Sequence, residues 1–400
     1  MSGLAVADMR ALVDGAFDET VDTRRDFHAH PELSFAEERT TAVVVDRLRG
    51  IGATELPCPT DTGAVFAIDG SRPGRTVLIR ADIDALPVHE EVDVAYRSAT
   101  DGVMHACGHD AHTAILLGVA GILAERAENL PGRYVLLFQP AEEALGGAVA
   151  MIEGGVLETV RPDRVIGLHV ASLLTTGLVA ARPGIAMAMA QKFAVRMRGR
   201  GGHGAMSTVE GNVLLATAAL AGRLSDAVAG LEYEEIGCAC SAGVLRAGTA
   251  LNVIPRDAVL EGSLRTFTTQ QHVTATGRLR ALCDEIAAEY EVTAAIDLPP
   301  PMSAVTNDPS ATAVWRDAAA TILGGDHVLE MPPATPSDDV SEFLRRIPGC
   351  YFFVGAASGP ARPPMHHAPD FFIDEECLRV GMQALLAGAV AMADDVRGSS

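Results

Sequence analysis

Histidine and cysteine crowd into one short stretch, Met104-His105-Ala106-Cys107-Gly108-His109-Asp110-Ala111-His112-Thr113, just ahead of an apolar helical run at 114–123. A thiolate and an imidazole two positions apart on a glycine-containing turn can converge on one cation, because sulfur and imidazole nitrogen are the donors that Zn²⁺ and similar ions prefer. Read blandly, the stretch is a loop with incidental histidines and a helix N-cap at Asp110. Gln139-Pro140-Ala141-Glu142-Glu143 follows the apolar run 134–138. Ligands of an open α/β sheet gather outside the carboxyl ends of its strands, so these acids would face a cleft, one holding metal and the other working as a base. Alone, two glutamates after a proline more often complement the dipole of a helix's first turn. His169 ends the strand-like Val165-Ile166-Gly167-Leu168-His169-Val170, where a lone histidine is more often a satisfied core residue. In Met365-His366-His367-Ala368-Pro369-Asp370-Phe371 the adjacent histidines point in different directions, so at most one is expected to enter the same site. Together these segments offer a thiolate, several imidazoles and one or two carboxylates. That inventory suits a pair of divalent cations, which acidify a bridging water and polarise a carbonyl. Glu142 would then take the water's proton and return it to a leaving amine.

The loops need a scaffold that brings them together. Up to about residue 183, helical stretches alternate with apolar strands at 76–80, 134–138 and 164–168, which reads as an α/β sheet with helices on its faces. Residues 184–298 change pattern: a strand at 192–197, a helix at 212–228, strands at 238–245 and 258–267, a helix at 269–290 and a strand at 292–297. This β-α-β-β-α-β order is the split βαβ, ferredoxin-like arrangement, inserted as an α+β unit. Leu298-Pro299-Pro300-Pro301 is a stiff boundary, after which α/β patterning resumes with a strand at 350–355 and a helix at 376–392. The expected organisation is therefore a mixed-sheet α/β domain built from 1–183 and 299–400, interrupted by 184–298.

Composition excludes several functions. A formal charge of −21 over 400 residues disfavours nucleic acid, whose phosphates need clustered Lys and Arg. No basic-then-apolar leader pattern opens the chain, and no stretch approaches the eighteen uninterrupted apolar residues of a membrane span. Seven scattered cysteines, an odd number, argue against a disulfide framework and for a reducing cytoplasm. Cys238 and Cys240 alternate on a strand and are expected to be packing residues, as is Trp315.

The chain resembles the amidohydrolases of the M20 metallopeptidase clan, in the branch of hippurate hydrolase and the indole-acetyl-amino-acid hydrolases. The resemblance spans nearly the whole length: His28-Ala-His-Pro-Glu-Leu-Ser-Phe35, Arg80-Ala-Asp-Ile-Asp-Ala-Leu-Pro87, the segment 104–112, Phe138-Gln-Pro-Ala-Glu-Glu143, Gly167-Leu-His169, Gly201-Gly-His-Gly-Ala205, Asn252-Val-Ile-Pro255 and His367-Ala-Pro369. It implies two divalent metal ions (Zn, Mn, Co or Ni) held by Cys107, His109, Glu143, His169 and His367, with Cys107 as the bridge. Glu142 corresponds to the catalytic base and Asp82 to a carboxylate behind the metals. The inserted unit corresponds to a lid and dimerisation domain, in which His203 polarises the scissile carbonyl and Asn252 and Arg265 lie near the substrate carboxylate. His28 and His30 are expected to anchor the N-terminal segment. Two departures stand out: Ser207 and Thr208 where the family has Pro and His, and Ser337-Asp338-Asp339-Val340 in place of Ser-Glu-Asp-Phe. Both are expected to bear on specificity. The expectation is a cytoplasmic amidohydrolase of N-acyl-L-amino acids, a homodimer or dimer-based tetramer, with a small-molecule substrate and no membrane or nucleic-acid partner. A dipeptidase or aminopeptidase of the same clan is the rival among enzymes, and a metal-dependent binding protein the rival outside them.

Overall fold

The computed structural model describes residues 5–206, 208–357 and 364–395, so Ser207 lies outside the described residues. In chain order the longer strands are β1 (Ala64–Asp69), β2 (Arg72–Asp82), β3 (Pro131–Gln139), β4 (Arg164–Thr175), β5 (Met189–Arg198), β6 (Ala239–Ala247), β7 (Asp257–Thr266), β8 (Thr293–Asp297) and β9 (Gly349–Ala357). The longer helices are α1 (Val6–Ala29), α2 (Glu38–Gly50), α3 (His109–Arg126), α4 (Val213–Gly222), α5 (Thr269–Glu289), α6 (Pro309–Leu323) and α7 (Glu376–Asp394). The chain divides into two compact units: Met1–Gly184 with Thr306–Met331 and Asp339–Ser400, and Ile185–Val305 with Pro332–Asp338. The second unit thus runs past the prolines at 299–301 and takes in a short return segment. Hydrogen bonds explain both extensions: Met302 and Ala190 exchange N–H···O bonds of 2.8 and 3.2 Å, and Ala188 N donates to Ala334 O at 2.9 Å.

In the first unit the sheet runs Thr54–Glu55, β1, β3, β2, β4, β9, Val179–Ala180, Val328–Leu329. The central pairs β3–β2, β2–β4 and β4–β9 are parallel, and β1–β3 is antiparallel, so the sheet is mixed. Residues 134–138 of β3 are buried without alternation, as a strand covered on both faces requires. Among the helices, α3 and α7 are buried along almost their whole lengths, consistent with their being apolar on every side. Although α7 is long and apolar enough to cross a membrane, 78% of its apolar window is packed inside the protein. Trp315 is fully buried and stacks on Phe352 at 4.7 Å. Asp308 caps α6, accepting from Ala311 N at 2.8 Å, with Pro309 at the position whose missing N–H costs nothing.

The second unit has an antiparallel sheet in the order β6-β7-β5-β8, with α4 between β5 and β6 and α5 between β7 and β8. Its core gathers Phe193, Val195, Val213, Leu220, Leu260, Leu279 and Ile286. A reciprocal capping box opens α5, in which Thr268 and Gln271 each accept the other's backbone N–H. The helix expected over 212–228 stops at Gly222, a poor helix former, and the chain continues as a 3₁₀ turn over Leu224–Val228.

Candidate active site

From β2 the chain passes through α3 to β3 on one side and then crosses to β4 on the other. Loops leaving the carboxyl ends of β2 and β3 part at such a point, which opens a crevice for ligands. Asp82 ends β2 opposite Gln139 at the end of β3, and His169 lies on β4 opposite Phe353 of β9. Gly108, at φ 93°, turns the chain between Cys107 and the first residue of α3, His109. A Cβ there would stand 2.4 Å from Val170 Cγ2, so no other residue fits. The helix therefore begins earlier than the apolar run 114–123, and Asp110 does not cap it. His367 is pinned in the left-handed region, at φ 66°, by its N–H donating to Ala106 O at 2.8 Å.

These constraints bring donor atoms of Cys107, His109 and His169 within 4.8 Å of one another, and likewise those of Cys107, Glu143 and His367. Cys107 Sγ is the corner common to both triads. Donor atoms of His109, Glu142 and Glu143 form a third such group. Hydrogen bonding sorts the imidazoles. His169 Nδ1 donates to Val170 O at 2.6 Å, leaving the Nε2 lone pair 3.4 Å from Cys107 Sγ. His109 Nδ1 donates to Asp84, 3.0 Å from its carbonyl and 3.1 Å from Oδ1. His112, by contrast, is used at both ends: Nδ1 donates to Asp82 Oδ1 at 2.6 Å and Nε2 accepts from Val170 N at 2.9 Å. It orients its neighbours and has no lone pair left for a cation.

The donor set fits divalent metal. His109 Nε2 and Glu143 Oε1 are buried and make no hydrogen bond, although they stand 4.0 Å apart and Glu143 Oε1 lies 3.3 Å from His367 Nε2. Burial, followed by the Glu143 carboxylate, pushes the Cys107 thiol well up, so a free thiolate is unfavourable there without a cation. Burial opposes charge on His109, yet Asp82, Cys107 and Asp84 outweigh it and raise its pKa well above the ordinary imidazole value. For His169, burial and then the neighbouring His112 and His366 hold the pKa well below the ordinary value, keeping the ring neutral and able to ligate. Only His367 is open, with about half of its side chain exposed.

Several residues around this cluster lie in segments that the sequence singled out, with no part in the site legible there. Asp84, two positions after Asp82, accepts from His109 and from Glu143 N at 3.0 Å. Arg80 is fully buried and binds Asp82 Oδ2 at 2.6 Å, Gln139 Oε1 at 2.9 Å and Asp339 Oδ1 at 3.1 Å. Asp339 also accepts from Gln139 Nε2 at 2.7 Å and Ala148 N at 3.0 Å, so its carboxylate is bound into the scaffold. His28, expected to anchor the N-terminal segment, is buried between Asp110 at 2.7 Å and Glu90 at 3.1 Å, while Arg24 binds Asp110 at 2.7 Å. His30 is exposed and bonds its own helix at Asp26 O.

Glu37 holds the turn that carries Glu142. Its Oε1 accepts from Ala141 N at 2.8 Å, where Ala141 adopts φ 55°, and its Oε2 accepts from Thr62 Oγ1 at 2.7 Å. A left-handed non-glycine residue is kept there only by such over-determination. Glu37→Ala is expected to release the turn and lower kcat by up to about 100-fold with KM little changed. Glu37→Gln, which keeps one acceptor oxygen, should recover most of the loss. Steady-state kinetics that rank both variants with the parent would show the turn to be held without Glu37.

In the second unit, His203 pairs with Val253 on a short two-stranded ribbon, and Gly204 N donates to Asn252 O at 2.8 Å. His203 and Asn252 are thus neighbours, both exposed. His203 Nδ1 accepts from Ala205 N at 3.1 Å, which leaves the proton of the neutral ring on Nε2. Arg265 stands apart on β7 and donates to Ser337 Oγ.

Known proteins resemble this chain over nearly its whole length. The chain is 35% identical over 384 residues to thermostable carboxypeptidase 1 of Saccharolobus solfataricus, covering 92% of this chain and 95% of that protein. It is 35% identical over 363 residues to N-acetyl-L-cysteine deacetylase of Bacillus subtilis, covering 90% and 85% respectively. The crystal structure of the Bacillus subtilis YXEP protein, described as a dinuclear metal binding peptidase from the M20 family, superposes with a TM-score of 0.78 at 31% identity, covering 94% of this chain and 98% of that one. Residues 78–390 match peptidase family M20/M25/M40. By sequence, fold and relatives alike, the chain belongs to that family and is an amidohydrolase within it.

Proposed function

We propose that the protein hydrolyses the amide bond of an N-acyl-L-amino acid, with metal held by Cys107, His109, Glu143, His169 and His367. The observation that supports this most directly is the pair of donor triads sharing Cys107 Sγ, beside a glutamate that belongs to neither triad. Two divalent cations bound there would acidify water and polarise the acyl carbonyl. Glu142 takes a proton from the attacking water and delivers it to the leaving nitrogen, its Oε1 oriented by Asp339 N at 3.4 Å. Asp82 and Asp84 fix His112 and His109 from behind. In the second unit, read as a lid and dimerisation domain, the Nε2–H of His203 suits an oxyanion, and Asn252 and Arg265 are assigned to the substrate carboxylate. The edge strand β6 offers unpaired backbone groups to a second copy, which supports a homodimer. Seven unpaired cysteines accord with a cytoplasmic setting.

A peptidase reading is favoured by the carboxypeptidase relative. Release of free amino acid should therefore be followed on N-acetyl, N-benzoyl and indole-acetyl amino acids alongside dipeptides. Turnover of acyl amino acids that vanishes on chelation and returns with Zn²⁺, Mn²⁺, Co²⁺ or Ni²⁺ is the expected result. Activity in metal-free protein would sink the metal scheme, and turnover confined to dipeptides would transfer the assignment to the peptidase.

A further inference from the structure

We propose that His366 is a positioning residue for Cys107, donating its Nδ1–H to the sulfur and thereby setting how strongly that sulfur binds metal. The inference rests on the reading of Cys107 as a metal-bound thiolate. Its basis is the direction in which each imidazole near Cys107 presents its proton. His366 Nε2 accepts the backbone N–H of Ser172, on β4, at 3.2 Å. An imidazole whose Nε2 is an acceptor is neutral and carries its proton on Nδ1. That nitrogen lies 3.8 Å from Cys107 Sγ, within hydrogen-bonding reach of sulfur. His169 turns the opposite way, with Nδ1–H spent on Val170 O and a bare Nε2 toward the sulfur. His109 likewise spends Nδ1–H on Asp84, and His112 spends its own on Asp82. Among these imidazoles, then, His366 is the one whose Nδ1–H is left for Cys107, while His109 and His169 face the sulfur through the Nε2 that a cation would take.

The ring is also held in place. It packs at 4.7 Å against Phe371 and meets His169 edge to face at 5.3 Å, so its orientation is not that of a free surface side chain. The adjacent histidines divide their work accordingly: His367 turns Nε2 toward Glu143, and His366 turns Nδ1 toward the sulfur. An N–H donor withdraws electron density from a thiolate. A sulfur that two cations would share is thereby made a weaker, better-placed donor to each, as outer partners do for other ligands.

The test is the sulfur-to-metal charge-transfer absorption of Co²⁺-reconstituted protein, which reads the sulfur independently of turnover. His366→Leu removes the donor, and His366→Asn keeps an N–H near the position of Nδ1. The expected result is a band at longer wavelength in His366→Leu, restored toward the parent in His366→Asn, with Cys107→Ala lacking the band. His366→Ala serves as a second donor-less variant should the leucine fail to fold. Identical bands in the parent and in a folded donor-less variant would overturn the proposal while leaving Cys107 on the metal. A parent without the band would remove Cys107 from the metal, and this inference with it.

Discussion

Glu142→Gln is expected to lower kcat by about 10²–10⁴-fold, the range over which a positioned general base acts, while metal content and melting temperature stay at the parental values. The amide matches the carboxylate in size and still accepts from Asp339 N, 3.4 Å away in the parent, so the backbone around it has no reason to move. It cannot take a proton from water at neutral pH. Glu142 lies outside the two triads that share Cys107, and its own group with His109 and Glu143 keeps those two donors, so its replacement should leave cation binding intact. Metal analysis and steady-state kinetics on the same preparation check the point. Parental kcat in a metal-replete variant would place the base elsewhere, whereas joint loss of metal and activity would make Glu142 a ligand.

Arg80→Met should cost about 3–5 kcal/mol of stability, the penalty for stripping the partner from a buried charge. Arg80, Asp82 and Asp339 have no exposed side-chain surface, and the guanidinium binds both carboxylates. Burial alone would raise the Asp82 pKa, but Arg80, followed by His109 and His112, holds it well below the ordinary range. A depressed folded-state pKa contributes stability that is present above the unfolded value of about 3.9 and is lost as pH falls through the folded one. The variant's Asp82 would take up a proton at higher pH, so its deficit should be largest near neutrality and shrink toward pH 4. Denaturant midpoints of metal-free protein at pH 7 and pH 5, followed by the fluorescence of the sole tryptophan, Trp315, report the unit concerned. Equal midpoints at pH 7 would mean that the pair holds nothing together.

Much of the architecture was legible because it depends on patterns that repeat along the chain. The uninterrupted apolar runs inside β3 and β4 marked strands buried on both faces, and the change to β-α-β-β-α-β order after residue 183 marked a second unit. Boundaries were less legible where distant backbone decided them. Pairing of Ala190 with Met302, and of Ala186 and Ala188 with Ala334, draws 302 and 334 into that unit. Asp110 shows the same limit: as a residue type it reads as a helix cap, and it becomes a buried ion partner only because Arg24 arrives from α1.

At the candidate site, residue types and their order sufficed to name a family, a hydrolytic chemistry and a set of thiolate, imidazole and carboxylate donors. Which nitrogen of each imidazole faces inward was decided by the fold. His169 and His366 are the same residue type beside the same sulfur, yet one presents a lone pair and the other a proton, because Val170 O accepts from the first and Ser172 N donates to the second. Likewise nothing in the spacing of Glu37, Arg80 and Asp339 announces that they brace the turns after β2 and β3. A side chain's chemistry belongs to its type and is written locally. Its tautomer, charge and direction are set by backbone groups and ions many residues away, which meet it only when the sheet assembles.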